Sequence, residues 1–279
     1  MTKIVILGAG GKMGYRCSSN LVGSPWQVAH VEVSAAGQER LKPLGIVCQP
    51  ADEVLPEADV VILAIPDNVI GRATNQLAHL FKPGAILVAL DAAAPFAGEL
   101  PDRADLSIFV AHPCHPSIFN DENDPQARRD YFGGVAAKQS IVCALMRGPE
   151  SHYELAVAIA QRMYAPVIEA HRATVDQMAI LEPVLSETIC ATCLTVIREA
   201  TDEAVRRGVP KQVAHDFILG HLNVELAILF DQMPGVRMSD AANRAVERAK
   251  KEIFVPDWKK VFEPAAIEES IRMITQVEA

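Results

Sequence analysis

The sequence predicts an α/β protein, with an N-terminal doubly wound parallel sheet followed by an all-helical C-terminal domain. Short apolar runs alternate with helical or turn segments up to about residue 170, a glycine-rich turn follows the first run, and long helical patterns fill the remainder. We place the domain boundary between residues 170 and 171, so that residues 1–170 form the sheet domain and 171–279 the helical domain.

The predicted strands are short runs rich in β-branched residues. Several, such as DVVILAIP, are continuously hydrophobic, as expected of strands that are buried on both faces of a parallel sheet. The runs lie at residues 3–8, 27–33, 59–66, 85–91, 106–112, 140–146 and 166–171.

Capping boxes mark the starts of later helices. SHYE, from Ser151 to Glu154, predicts one start, and TVDQ, from Thr174 to Gln177, predicts another. The second helix continues to near Gly208 and contains a single proline, Pro183, which is expected to kink it.

Composition excludes some classes of protein. A net charge of −9 argues against nucleic acid or anionic membrane as the main partner, because both select basic surfaces. Met1 runs directly into the first apolar run without the pattern of a secretory signal, and no apolar stretch is expected to reach membrane-spanning length. The scattered cysteines indicate thiols, so we expect a cytoplasmic protein.

A phosphate-binding turn is predicted in ILGAGGKMG, where the first strand meets the first helix. Gly8, Gly11 and Gly14 form a GxxGxxG variant of the dinucleotide fingerprint, and Met13 stands where the usual last glycine would be. The turn, which also contains Gly10 and Lys12, brings backbone close to a pyrophosphate at a helix N-terminus. It therefore predicts a Rossmann-type domain that binds a dinucleotide.

The second run ends with Glu32, 18 residues after Gly14, where a carboxylate binds the adenosine ribose and repels a 2′-phosphate. No arginine follows it closely, so we expect NAD rather than NADP; the alternative is an exposed glutamate at a strand end. Pro66 and Asp67 follow the run at 59–66 and are predicted to lie at the cofactor edge, although Asp67 could instead cap the next helix.

The segment AHPCHP carries two histidines. His112 closes the fifth run and so lies at the carboxyl edge of the sheet, where ligands bind. Pro113 and Pro116 favour extended geometry at the preceding histidines, so the rings of His112 and His115 are predicted to enter one site. The alternative for each is a surface histidine in a turn.

The helices contain two further candidates. Glu182 lies on the apolar stripe of Met178, Leu185, Ile189, Thr192 and Val196, and a carboxylate facing a core is costly unless it is paired, protonated or bound to metal. The alternative is that this face borders solvent at the kink. His221 lies on another stripe and is either a satisfied core histidine or a substrate contact.

The motifs GAGGKMG, LDAAAPF, AHPCHPSIFNDE, LEPVLSET and GHLNVE together resemble the D-apionate oxidoisomerase family over nearly the full length. Proteins of this kind are often labelled semialdehyde dehydrogenase NAD-binding or phosphogluconate-dehydrogenase-like. The resemblance implies an NAD-dependent enzyme that oxidises D-apionate at C2 and rearranges it to 3-oxo-isoapionate.

The resemblance also implies roles for the candidate residues. A divalent ion, zinc or magnesium, would bridge vicinal substrate oxygens and be held by His112 and Glu182 from different domains. His115 is then an alternative ligand or the general base, and His221 a second catalytic contact.

Two alternatives remain open. One is a prephenate-dehydrogenase-like enzyme or another NAD-dependent hydroxy-acid dehydrogenase, and the other is a non-catalytic NAD-sensing protein. We also expect a homodimer, because the long helix has apolar positions on more than one face.

Overall fold

A computed structural model describes residues 1–276. The chain divides into two compact units: one comprises Met1–Pro183 with the segment from Glu268 onward, and the other comprises Val184–Ile267. The predicted boundary at residue 171 falls inside the first unit, because Val175 and Met178 are buried in one cluster with Val110 and Ala144 of the sheet.

The first unit contains a seven-stranded sheet in the order β2-β1-β3-β4-β5-β6-β7. All seven predicted strands are present. The sheet is parallel from β2 to β5, but β6 pairs antiparallel with β5, and β7 is parallel to β6. The strands are β1 Lys3–Leu7, β2 Gln27–Val31, β3 Val60–Leu63, β4 Ile86–Ala89, β5 Ser107–Pro113, β6 Gln139–Arg147 and β7 Val167–Arg172.

Alternate residues of the central strands enter separate hydrophobic cores on the two faces of the sheet. Ile4 and Ile6 pack in one core, whereas Val5 and Leu7 pack in the other. The continuous apolar runs are therefore explained by burial on both faces, which confirms the predicted α/β class.

The helices of the first unit cover both faces. Cys17 in α1 and Ile159 in α6 are buried in the core of Ile4, and Ile70 in α4 is buried in the core of Val5. The helices are α1 Lys12–Leu21, α2 Ala35–Leu41, α3 Ala51–Val54, α4 Asp67–Leu77, α5 Ala93–Phe96, α6 Glu150–Met163 and α7 Val175–Ala179.

The two predicted capping boxes have different outcomes. Thr174 and Gln177 form the box at the start of α7, as predicted. The box predicted at Ser151 is wrong: α6 begins at Glu150, and Pro149 takes the cap position without a side-chain hydrogen bond. Pro149 lacks an N–H and its fixed backbone angle suits a helix start, so the helix begins two residues earlier than predicted.

A π-helical segment, Ile180–Ala191, follows α7 and contains Pro183. The predicted interruption of the helix therefore takes the form of a changed hydrogen-bond register, since Pro183 has no N–H to donate. Three helices follow, α8 Thr192–Arg206, α9 Lys211–Leu229 and α10 Asp240–Ile253, and α11 comprises Pro264–Thr275.

The predicted stripe on the long helix is only partly buried. Met178 is buried, but Leu185 is 47% exposed and Val196 44% exposed. By length and composition the helix Val175–Arg206 could cross a membrane, so the prediction that no stretch reaches this limit was wrong. Scattered polar residues interrupt the apolar runs of this helix, but its mean hydropathy stays high. One such helix is weak evidence for a membrane span.

His30 in β2 is a buried titratable group in the first unit. Its Nε2 has no hydrogen-bond partner among the described residues, and burial lowers its pKa from 6.5 to about 4. The folded state thus binds fewer protons than the unfolded state between these values, so stability is present above pH 6.5 and is lost as the pH falls toward 4.

We therefore expect the substitution His30→Leu to reduce the acid sensitivity of folding. The parent should lose up to about 3 kcal/mol of unfolding free energy through this group between pH 7 and pH 4. Urea unfolding at several pH values measures the difference, with the exposed His79→Leu as the matched control. An unchanged pH dependence in the His30 variant contradicts the assignment.

Candidate active site

The glycine turn approaches neighbouring backbone too closely for side chains. Gly8 has φ +75°, and a Cβ there would lie 2.4 Å from the carbonyl oxygen of Ala64. A Cβ on Gly14 would lie 2.0 Å from the Gly8 oxygen, and one on Gly10 would lie 2.4 Å from the oxygen of Gly37. Gly11 caps α1. The glycines are therefore required by close backbone packing, and the turn lies at the N-terminus of α1, which suits a pyrophosphate.

One cavity, of about 490 Å³, opens beside this turn and is lined by Gly10, Glu32 and Ser34. Glu32 Oε2 accepts a hydrogen bond from Gly10 N at 2.9 Å, and its Oε1 accepts from Ser34 N and Oγ. Burial would raise the pKa of Glu32, but these hydrogen bonds outweigh it and lower the pKa. The group is therefore a fixed carboxylate at the end of β2, as predicted.

An arginine reaches the same cavity, although none follows Glu32 closely in sequence. Arg40 lines the cavity, and its Nη1 donates to the carbonyl of Gly10. Because Arg40 lies at this cavity, the absence of an arginine close to Glu32 in the sequence is a weaker argument for NAD. The argument then depends on Glu32 keeping its negative charge.

A second cavity, of about 410 Å³, adjoins the first and shares part of its lining. Both are lined by Gly11, Ala64, Ile65 and Pro66, between the carboxyl ends of β1 and β3 where the strand order reverses. The second cavity brings together many of the predicted residues: Lys12, Met13, Pro66, Asp67, His112 and His115, along with Asp91 and Phe132.

Three side chains at one end of this region converge. His112 Nε2 lies 3.3 Å from Glu182 Oε2, and His112 Nδ1 lies 3.4 Å from Asp91 Oδ2. One potential ligand atom from each of the three lies within 4.8 Å of the others. The predicted pairing of His112 with Glu182 is therefore present, but both belong to the first unit rather than to different domains.

The charges in this cluster depend on one another. Burial would lower the pKa of His112, but Glu182 and Asp91 outweigh it and raise the pKa to about 9. Desolvation raises the pKa of Asp91, whereas the interaction with His112 lowers that of Glu182. The imidazolium is thus stabilised by the two acidic side chains around it.

The cluster fits a divalent cation. His112 Nδ1 lies 2.9 Å from the carbonyl of Leu90, which can only accept, so Nδ1 donates and Nε2 faces Glu182. Nε2 is buried and has no well-aligned hydrogen bond in residues 1–276. An orphaned imidazole nitrogen beside two carboxylates is a donor set that zinc, magnesium or manganese accepts.

His115 lies next to this cluster, in a conformation that the sequence did not predict. Its φ is +60° rather than extended. Its Nδ1 donates to the carbonyl of Phe132 at 2.9 Å, a bond that ties the ring to the following loop and offsets the backbone strain. The ring centroids of His112 and His115 are nevertheless 6.1 Å apart, so the two histidines share a site as predicted.

His221 lies in the second unit, on α9. Its ring stacks on Phe217 with centroids 4.0 Å apart, and its Nδ1 lies 2.8 Å from the Phe217 carbonyl. The side chain is exposed, so the interpretation as a core histidine was wrong. The hydrophobic stripe is exposed as well, since Phe217 is 63% exposed.

Sequence reasoning missed three residues of these cavities. Asp91 follows β4 at the same carboxyl edge that singled out His112, so the same argument could have found it. Arg40 is a helix residue eight positions after Glu32, and Phe132 lies in a long loop without periodic pattern. Neither of these carried a sequence signal.

Comparisons with known proteins show which family the chain belongs to. Residues 120–275 match the family described as phosphogluconate dehydrogenase (decarboxylating), C-terminal. The chain is 58% identical to a D-apionate oxidoisomerase of Cupriavidus necator, over 98% of this chain and 99% of that protein. It is 56% identical to the D-apionate oxidoisomerase of Rhizobium rhizogenes, over 99% of this chain and 100% of that protein.

A solved structure has the same fold. It is a semialdehyde dehydrogenase NAD-binding protein from Cupriavidus necator, in complex with calcium and NAD. The TM-score is 0.96 and the identity 58%, with coverage of 99% of this chain and 100% of the other.

The fold and the cleft at the strand-order reversal define an oxidoreductase with a Rossmann-type domain, and the predicted class of NAD-dependent oxidoreductase is confirmed. Within that class, the chain belongs to the D-apionate oxidoisomerase family. The family membership rules out the alternative of a non-catalytic sensor.

Proposed function

We propose that the protein binds NAD across the two cavities, oxidises D-apionate at C2 and rearranges the product to 3-oxo-isoapionate. The observation that carries this proposal is the convergence of Asp91, His112 and Glu182 beside the cleft next to the glycine turn. The names of the relatives and the calcium and NAD complex of the Cupriavidus necator protein support it.

The glycine turn and Glu32 would hold the cofactor. Gly10 and Gly11 line the cavity at the N-terminus of α1, where the pyrophosphate would bind, and the Glu32 carboxylate would accept hydrogen bonds from the ribose hydroxyls. When bound, NAD would accept the hydride from C2, the only carbon of the vicinal diol that carries a hydrogen.

Asp91, His112 and Glu182 would hold a divalent ion. When bound, the ion would polarise the C2 oxygen and stabilise negative charge during the rearrangement. This set of nitrogen and oxygen donors suits zinc, magnesium or another cation that accepts both kinds of ligand.

His115 would act as the general base. Its Nδ1 donates to a carbonyl, so its Nε2 carries the lone pair that can take the proton of a substrate hydroxyl. In the α-ketol shift, the bond from C3 to the hydroxymethyl carbon breaks and the bond from C2 to that carbon forms. The C3 hydroxyl loses a proton and the C2 oxygen gains one, so the same histidine can move the proton between them.

We expect D-apionate, in a panel of branched and linear sugar acids, to reduce NAD, and a chelator to abolish the reaction. His112→Ala and Glu182→Ala should each lower kcat/KM by more than about 100-fold, because each removes a ligand of the ion. NAD affinity, measured by calorimetry, should stay near the parental value because the glycine turn is unchanged.

Two further variants sharpen this test. Asp91→Asn should behave like the ligand variants, whereas Asp102→Asn, at an exposed carboxylate outside the cavities, should match the parent. Near-parental activity in both His112→Ala and Glu182→Ala, or activity that resists chelation, contradicts the metal site. His115→Ala would then test an ordinary dehydrogenase base.

Glu32 is expected to determine the preference for NAD. Glu32→Ala should raise KM for NAD much more than KM for NADP, on the scale of about 1 to 3 kcal/mol for a charged hydrogen bond. Steady-state kinetics with both cofactors provide the measurement, with the exposed Glu39→Ala as control. A parent that already prefers NADP refutes the assignment.

The second unit has a surface suited to a second copy of this chain. An apolar cavity of about 410 Å³ lies between α8 and α9, and Val213 and Phe217 at this cavity are 56% and 63% exposed. Leu219 and Leu229 in α9 are also more than 60% exposed. Burying such faces contributes about 25 cal/mol per Å², so a homodimer through the helical unit is the proposed assembly.

Sedimentation at micromolar concentration should show a dimer. Phe217→Glu should weaken it by placing a charge in the apolar surface, whereas Arg198→Glu, at an exposed charged position of α8, should not abolish it. A parental monomer, or a chain recovered with membranes rather than in solution, contradicts the dimer.

A further inference from the structure

Two cations of α1 lie on one aromatic ring at the second cavity. Lys12 Nζ lies 3.9 Å from the centroid of the Phe132 ring, and the guanidinium carbon of Arg16 lies 4.7 Å from it. Lys12 and Arg16 are four residues apart and so project from one side of the helix. Arg16 Nη1 also donates to Met13 Sδ at 3.6 Å.

The loop that carries Phe132 is held firmly against α1. The Asp130 carboxylate accepts hydrogen bonds from the backbone of Val135, Ala136 and Ala137 at 2.9 to 3.1 Å. Asn20 in α1 donates to the carbonyl of Gly134 at 3.0 Å. The 46% exposed Phe132 ring is therefore fixed in place against the two cations.

The cavity consequently has an acidic and a basic end. Asp91 Oδ2 lies beside His112, whereas Lys12 lies over the Phe132 ring. The His115 ring lies between them, with centroid distances of 6.1 Å to His112 and 5.8 Å to Phe132. In a chain of net charge −9, a cation that lines a ligand cavity attracts an anion. The face of an aromatic ring orients the cation without neutralising its charge.

The substrate class has matching polarity. A sugar acid carries hydroxyls along its chain and one carboxylate at its end. Asp91 and Glu182 would be engaged with the divalent ion, so the carboxylate needs another positive group, and Lys12 is a cation that lines this cavity. We propose that Lys12 binds the carboxylate of the substrate and selects acids over neutral sugars, an inference that rests on the proposed function. Phe132 positions Lys12, and the positive charge of Arg16 adds to its attraction for the anion.

The cofactor pyrophosphate is the other anion that Lys12 could bind. The glycine turn, however, offers bare backbone and the N-terminus of α1, which bind a pyrophosphate without a lysine. The two sources of anion are separated by measuring NAD and the sugar acid independently.

The test compares Lys12→Met with Arg129→Met, an exposed arginine in the same loop as Phe132. Lys12→Met should lower kcat/KM for the sugar acid by about 10- to 100-fold, the loss expected for one charge-assisted hydrogen bond. Its affinity for NAD, from calorimetry, should stay within about threefold, since the glycine turn is unaltered. Arg129→Met should match the parent in both.

A neutral substrate gives a second readout. The parent should favour D-apionate over its methyl ester, and Lys12→Met should remove most of this preference. Phe132→Leu should raise KM more than it lowers kcat, because it releases Lys12 without removing its charge. Calorimetric binding of the sugar acid to the NADH complex reports the same loss without turnover.

The outcomes separate this inference from the proposed function. A parent that turns over no sugar acid refutes the proposed function, and the inference falls with it. A parent that uses D-apionate while Lys12→Met keeps parental kinetics and ester discrimination refutes only the inference. Loss of NAD affinity equal to the loss of sugar-acid affinity assigns Lys12 to the pyrophosphate instead.

Discussion

Two ionised carboxylates can lie beside one another in a half-buried site only if a positive group compensates them, and the candidate active site depends on this constraint. Asp91 and Glu182 flank His112, and their side chains are 17% and 30% exposed. Removing the positive group would leave like charges in a medium that screens them poorly. In the structure, the imidazolium of His112 supplies this positive charge. A divalent cation bound by a neutral imidazole would also supply a positive charge between the two carboxylates.

The fold brings these groups together from separate parts of the chain. Asp91 follows β4 and His112 lies near the end of β5, so parallel pairing of these strands places both at one edge. Glu182 comes from the π-helical segment after α7, and α7 is anchored by its capping box and by the burial of Met178. The wider turn around Pro183 thus occurs at the residue next to a site carboxylate, where π-helical segments are often found.

Most of the sheet and half of the site follow from sequence pattern. Continuous apolar runs predict strands because burial on both faces requires them, and the edge argument located His112 correctly. The antiparallel pairing of β6 could not be predicted. A strand has the same side-chain period and the same hydrophobicity whether it pairs parallel or antiparallel. His115 adopts positive φ because of a hydrogen bond to Phe132, a contact between residues 17 apart in a loop without pattern. The exposure of the apolar stripes on α8 and α9 was not predicted, since a stripe in the sequence does not specify which elements pack against it.

The two histidines of the candidate site share one local hydrogen-bond arrangement in two different surroundings. Each donates from Nδ1 to a backbone carbonyl, that of Leu90 for His112 and that of Phe132 for His115. Because a carbonyl only accepts, each neutral ring carries its proton on Nδ1 and a lone pair on Nε2. What differs is the surroundings of Nε2. The Nε2 atom of His112 is buried against Glu182, which suits a ligand of a cation. His115 lines the cavity with its Nδ1 held by the Phe132 carbonyl, which suits a group that exchanges a proton with substrate through Nε2.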